Sequence, residues 1–250
     1  MRTSEQLGTR IGEALAPVFE KISRARGART FHPRGDLARV TVSPLDARDG
    51  LQDLGAALAG NGFVRFSNAL WKAPRWPDAL GCAIAFTDAH GKAEQHLLMA
   101  TILRPWTMPI APFTTDTTDY LANTYYAVSP FSTRHLEKVW LRMRVDERPE
   151  SRAGEARRAL FAREVQQHCT FVLEGSSNPY TGFAAFARVR LEELLPEGAD
   201  SPALALDPFV DARGLYPRGF IHALRHGAYA GSRAGREKTP QLEPIFSVLR

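Results

Sequence analysis

Six short runs constrain this chain more than anything else in it. They are ARVTVSPL (38–45), GFVRFSN (62–68), GCAIAFTD (81–88), HLLMATIL (96–103), KVWLRMRVD (138–146) and CTFVLEG (169–175). All are too brief for buried helices and rich in β-branched, aromatic or aliphatic residues, with Gly, Pro or Asp turns around them. Strands this closely spaced pair antiparallel, in an open sheet or a barrel. Helical spacing occurs elsewhere. Ile11, Leu15, Val18, Phe19 and Ile22 fall on one face of an N-terminal segment for which Ser4 is the expected N-cap. The second half of RPESRAGEARRALFAREVQQH is also helical. No repeat or low-complexity linker divides the chain. The expectation is one α+β domain over 1–250, with residues 1–28 as a helical arm and an antiparallel barrel at the centre.

Composition removes several classes of function. A hydrophobic fraction of 44% with 24% charged residues is ordinary for a globular chain of 250 residues. The net charge of +5 comes from arginines scattered along the sequence, without the basic block that nucleic-acid binding favours. Cys82 and Cys169 are isolated, so neither a disulfide framework nor a zinc site is expected. No apolar run is long enough for a membrane span, and the N-terminus lacks a signal-peptide core. The expected location is therefore the cytoplasm.

The segment LRHGAYAGSRAGR (224–236) is harder to place. Its three glycines each cost a helix roughly 1 kcal/mol against alanine. On a helix, Arg225, Tyr229 and Arg236 share one side, and a cation beside a phenol favours the phenolate. A phenolate is an anionic oxygen ligand, of the kind that haem iron accepts. A surface helix whose tyrosine packs on arginine side chains explains the same residues. His222 and His226, four apart, have metal-ligand spacing, on a face about a quarter-turn from Tyr229. His168 beside Cys169 lacks a third catalytic partner. Tyr120, Tyr125 and Tyr126 lie in an aromatic stretch that either packs on the barrel or lines an access route.

Arg29 and His32 in RTFHPRG, Arg65 and Ser67 in VRFSN, PDALGCAIAF at 77–86, and then Arg225, Tyr229 and Arg236 follow one another in order. In that order the set resembles the haem catalase family, and in its short length the compact bacterial catalase-related proteins. The resemblance implies a catalase-like antiparallel β-barrel with surrounding helices, and haem b between the barrel and a C-terminal helix. Tyr229 would be the axial iron ligand and Arg225 its phenolate partner. His32 would be the acid–base group, oriented by Ser67. Arg29, Arg65 and Arg236 would pair with the haem propionates. Gly227, Ala228, Gly231 and Ser232 would be small to admit the macrocycle. The family's asparagine above the iron is replaced by Ala100 or Thr101, and Phe31 is bulkier than the family's residue before the histidine. The implied activity is peroxidase-like with weak catalase turnover, on hydrogen peroxide or an organic hydroperoxide with a small-molecule reductant. The alternatives are a non-catalytic haem-binding or sensing protein, and an enzyme that rearranges lipid hydroperoxides. Oligomeric state is left open between monomer and homo-oligomer.

Overall fold

A strand's side chains alternate between two faces, so a closed barrel must supply an interior set and an exterior set from every strand. The strands are β1 (Gly35–Pro44), β2 (Gly60–Asn68), β3 (Leu80–Thr87), β4 (Ala93–Ala100), β5 (Tyr125–Tyr126), β6 (Phe131–Ser132), β7 (Trp140–Val145), β8 (Thr170–Ser176), β9 (Ala184–Leu194) and β10 (Tyr216–Pro217). The computed structural model describes residues 3–26, 32, 34–48, 50–70, 76–147, 155–200 and 206–237. Eight strands close an antiparallel barrel in the order β1-β2-β3-β4-β5-β7-β8-β9, and β6 pairs with β10 in a separate ribbon. The mixed α+β barrel expected from the sequence is what the chain forms. Each of the six runs supplies a barrel strand, and GFAAFARVRLEELL supplies the long β9 that closes the barrel against β1.

Val64 and Phe66, Leu80, Cys82, Ile84 and Phe86, Leu97 and Met99, and Leu141 and Met143 are the alternate residues that fill the interior. Phe66 is at its centre, stacked on Tyr120 at 5.0 Å between ring centroids and edge-on to Phe161 at 5.5 Å. Both geometries suit the aromatic quadrupole. Tyr120 donates to Asp36 Oδ2 (2.9 Å), and Tyr125 donates to the carbonyl of Tyr120 (2.9 Å). The phenols of Tyr120 and Tyr125 are thus satisfied inside the core, where burial pushes both up from the ordinary tyrosine value. These two tyrosines pack the barrel and line no access route.

Helices cover the barrel and its ends. They are α1 (Thr3–Arg26), α2 (Gly50–Leu58), α3 (Ala111–Thr114), α4 (Arg157–Gln166) and α5 (Phe220–Glu237). The sequence patterns do not announce α2, because GLQDLGAAL carries two glycines; tertiary burial of Leu54 and Leu58 overrides their cost. α1 and α5 run parallel through a seam of small residues. A Cβ on Gly8 would stand 2.6 Å from the Phe220 carbonyl oxygen, and one on Gly12, Gly227 or Gly231 would collide with the opposite helix backbone. The glycines of α5 at 227 and 231 therefore admit α1, which corrects the expectation that they admit a macrocycle. The apolar stripe of α1 is turned outward, with Leu7 54% and Val18 51% exposed.

α4 also buries Glu164, 2% exposed, with neither carboxylate oxygen hydrogen-bonded. Its carboxyl is pushed up to about 8, by burial first and then by the nearby Asp119 carboxylate. In the unfolded chain a glutamate ionises near ~4.3. The fold therefore holds a proton that the unfolded chain releases as pH rises between those values. Stability is greatest below the unfolded value, falls through that window and levels above about 8. Glu164→Gln should flatten this decline and gain on the order of a few kcal/mol at pH 8, with little change at pH 4. Urea unfolding across pH checks this; parallel pH slopes in parent and variant would show that Glu164 ionises normally.

Candidate functional site

The outer faces of β2, β3 and β4 carry the site. Ladder register sets Ser67 opposite Gly81, and Gly81 opposite Ala100. Because Phe66, Cys82 and Met99 fill the interior, these three neighbours point outward in one row across the strands. Ala83 and Ala85 continue the small-residue face along β3, whose every residue is buried.

His32 lies on this row. Its backbone N–H donates to the Ala69 carbonyl (3.0 Å), and its own carbonyl accepts from Arg65 Nη2 (2.8 Å). Its Nδ1 is 3.0 Å from Ser67 Oγ. The serine hydroxyl both donates and accepts, so it serves either tautomer of the ring. The imidazole lies directly over Gly81: a Cβ there would stand 2.6 Å from Nδ1 and collide with Cε1. A φ of 58° puts His32 in the left-handed region, which is rare for a residue with a Cβ and accumulates at functional sites. Backbone, carbonyl and ring are each fixed by a separate bond, which holds a strained histidine in one orientation. The sequence shows the histidine and the serine. It carries no sign that Gly81 is the surface beneath the ring, because an isolated glycine in a strand reads equally as a bulge.

Arg65 is 4% exposed and forms a bidentate pair with Asp200, Nε to Oδ1 at 2.7 Å and Nη2 to Oδ2 at 2.6 Å. Fork-to-fork geometry makes this the stronger class of ion pair. Gly35 leaves the guanidinium its place, since a Cβ there would stand 3.0 Å from Arg65 Cζ. Asp200, 135 positions away, belongs to no motif that the sequence displays.

The structure also separates Ala100 from Thr101. Thr101 receives the Leu80 N–H at 3.0 Å and shares a 2.7 Å hydrogen bond with Thr115. Its hydroxyl is spent on joining loops. The position beside Gly81 on the outer face is Ala100, which brings no donor to the row.

On α5, positions 225, 229 and 236 lie about half a turn from 223, 227 and 231, so they occupy the side opposite the α1 seam. Arg225 lines a narrow space between α5 and the outer face of β4, with His96, Leu98, Val128, Ser129 and His222. That space, about 10 Å³, holds no more than one water. The His222 ring packs against Phe209 at 4.6 Å between centroids. His96 beside it is lowered from the ordinary histidine value by burial, which favours a neutral ring. Tyr229 and Arg236 belong to α5, but their side chains lie outside the described residues, as does that of His226. Arg29, Phe31 and the whole segment 27–31 lie outside them as well. The structure thus brings His32, Ser67 and Arg65 together and places Arg225 beside β4. Among the described residues no three His, Cys, Asp or Glu side chains gather into a metal site, and no helix is long and apolar enough to cross a membrane.

No family model matches the chain, and no curated protein does. Solved structures do match. A fungal catalase superposes with a TM-score of 0.56 at 14% identity, covering 88% of this chain and 60% of that one. Catalase A from Saccharomyces cerevisiae superposes with a TM-score of 0.56 at 13% identity, covering 84% of this chain and 61% of that one. The barrel is therefore of the catalase type, and the chain spans about three fifths of the length of those proteins.

The contact between His32 and Gly81 is open to a direct test. Gly81→Ala should destabilise the fold by about 1–3 kcal/mol, because the new methyl meets a ring that three bonds hold in place. In a His32→Gly background the same substitution should cost under about 0.5 kcal/mol, measured by urea unfolding as a double-mutant cycle. Equal costs in the two backgrounds would mean that the ring does not occupy that place.

Proposed function

We propose that this chain is a haem-dependent enzyme acting on peroxides, with peroxidase-like turnover and weak catalase activity. One observation carries the proposal. A histidine whose ring is held by Ser67 and whose backbone carbonyl is held by Arg65 lies over a small-residue face on the outer wall of a catalase-type barrel. A flat cofactor would lie against this wall, and the narrow space of about 10 Å³ between α5 and β4 would have to widen to admit it. Gly81, Ala83 and Ala100 leave the wall shallow, and α5 brings the 225, 229 and 236 positions to its side away from α1. Haem b would be held by Tyr229 at the iron, with Arg225 beside it as the phenolate partner. Arg29 and Arg236 would pair with the propionates. Arg65 would join them only by exchanging Asp200 for a propionate, a swap between carboxylates of like geometry. When bound, the haem supplies the redox chemistry that breaks the peroxide O–O bond.

The chain's own residues handle the proton. His32 takes it from the oxygen of a hydroperoxide that faces the ring and returns it to the departing oxygen, which leaves as water or an alcohol. Ser67 keeps Nδ1 occupied, so this exchange falls to Nε2. Disproportionation of hydrogen peroxide needs a second molecule oriented as reductant, and Ala100 gives it no hydrogen bond. A small-molecule reductant then closes the cycle more readily. Organic hydroperoxides, which enter once per turnover, suit this wall better than hydrogen peroxide.

Purified protein should carry one haem per chain by absorption and haem assay. Tyr229→Phe should lose most of it or shift its spectrum; a fully loaded variant with an unaltered spectrum would remove Tyr229 as the ligand. His32→Ala should keep the haem and lose about 10²- to 10⁴-fold in peroxide-dependent turnover. A loss smaller than about twofold would give the proton transfer to another group. Oxygen evolution at rates roughly a hundredfold below those of efficient catalases is expected from the missing donor at Ala100; full catalase rates would overturn that part alone. A haem-replete sample inert towards every peroxide would favour a binding or sensing role.

A further inference from the structure

Arg104 is a buried cation without an anionic partner among the described residues. It is 2% exposed, four residues past Ala100, and its Nη1 donates to the Leu103 carbonyl at 2.5 Å while Nη2 donates to that of Pro179. Its Nε–H has no acceptor. The guanidinium is stacked between two rings, with Cζ 4.2 Å from the centroid of Trp140 and 5.1 Å from that of Tyr180. Trp140 Nε1 is also buried without a partner, and Lys138 Nζ lies 5.4 Å from the same indole. No carboxylate among the described residues is paired with Arg104; its polar neighbours are the phenols of Tyr180 and Tyr126. A buried charge is ordinarily paired, and an unmade hydrogen bond to a buried donor costs about 1–3 kcal/mol. Two such donors in one stacked pair, beside a second cation, form an incomplete set. An acceptor with two oxygens and a negative charge completes it.

We propose that Arg104, Trp140 and Lys138 form a carboxylate-binding subsite on the outer wall of the barrel, which takes an organic acid with an apolar body. The cover is thin. Tyr180 is 54% exposed above the guanidinium, so a rotation of its ring opens the subsite to solvent. The residues just beyond Arg104 in the chain suit an apolar body. Trp106, Met108, Ile110 and Phe113 are 67%, 54%, 58% and 78% exposed, a run of large apolar residues that soluble surfaces seldom present together. The subsite also shares the wall with His32. Tyr126, a neighbour of Arg104, pairs with Ala100, which pairs with Gly81 beneath the imidazole. From β3 to β7 is three strand spacings, about 15 Å. If the proposed function holds, the substrate class narrows to a hydroperoxide that also bears a carboxylate. That narrowing rests on the peroxide reading, whereas the binding subsite does not.

The test uses the whole protein, with its haem content measured alongside. Decanoate, methyl decanoate and acetate are titrated by calorimetry into the parent, Arg104→Gln and Trp140→Phe. One decanoate should bind per parent chain, at least about tenfold tighter than its ester or acetate, since charge-assisted bonds carry that difference. Arg104→Gln should erase the preference for the acid. Trp140→Phe keeps an aromatic ring beneath residue 104, removes only the N–H donor, and should weaken decanoate severalfold; it decides the matter should Arg104→Gln not fold. Equal affinity for acid and ester, or parent-like decanoate binding in the folded variants, would overturn the subsite and leave only adsorption on the apolar run. Decanoate binding in a protein without peroxide turnover would uphold the subsite while refuting the enzyme. Turnover with hydrogen peroxide but no acid preference would do the reverse.

Discussion

Everything in this fold depends on the two-residue period of strands that close on themselves. Once Val64, Phe66, Cys82, Ile84 and Met99 are committed to the interior, the intervening positions are committed to the outside. The outward row Ser67, Gly81 and Ala100 is therefore not free to vary independently of the core. A slip of one residue in β3 would bury Gly81 and drive Cys82 into the imidazole. The hydrophobic interior thus acts as the register pin for the polar wall, and Ser67, Gly81 and Ala100 inherit the rigidity of the barrel, while His32 and Asp200 reach it from outside the strands.

The same logic separates what is legible in the sequence from what is hidden there. Alternating and apolar runs disclose six of the barrel strands, because periodicity is local; the long β9 and the two-residue β5 are not among them. The motif order singles out His32, Ser67 and Arg65, and in the structure the His32 ring is 3.0 Å from Ser67 and the His32 carbonyl 2.8 Å from Arg65. Hidden are the relations that join distant segments. Asp200 meets Arg65 across 135 positions, and nothing in the sequence near either residue announces the other. Gly12 and Gly227 meet because two helices at opposite ends of the chain run side by side. Small residues in α5 suggest room for a ligand when they are room for a helix. The chemistry that glycine permits, close approach, is legible; the approaching partner is not.

That substitution of partner matters for how α5 faces the barrel. If the small side of α5 is used up by α1, only the opposite side is available to face the barrel, and the 225, 229 and 236 positions occupy it. The α1 seam therefore sets the rotation of α5 about its own axis. α1 is also the segment that precedes His32 in the chain. One helix pair thus ties the orientation of the C-terminal helix to the arm that leads to the histidine on the wall.

The wall itself is asymmetric in its protons. Thr101 turns its hydroxyl to Leu80 and Thr115, Ala100 offers a methyl, and Arg65 is engaged by Asp200. Within the row from Ser67 to Ala100 the imidazole is left as the general acid–base candidate. A site with one such group can move one proton out and back within a single substrate. On the proposed peroxide reading, the row has no further hydrogen bond with which to orient a second peroxide. Positioning must then come from the body of the substrate rather than from its reacting oxygens. Specificity in such a site is carried by contacts remote from the bond that breaks, where binding energy fixes orientation without taxing the proton transfer. On the carboxylate-subsite proposal, the apolar run after β4 and the Arg104 cation beside Tyr180 would be contacts of that remote kind.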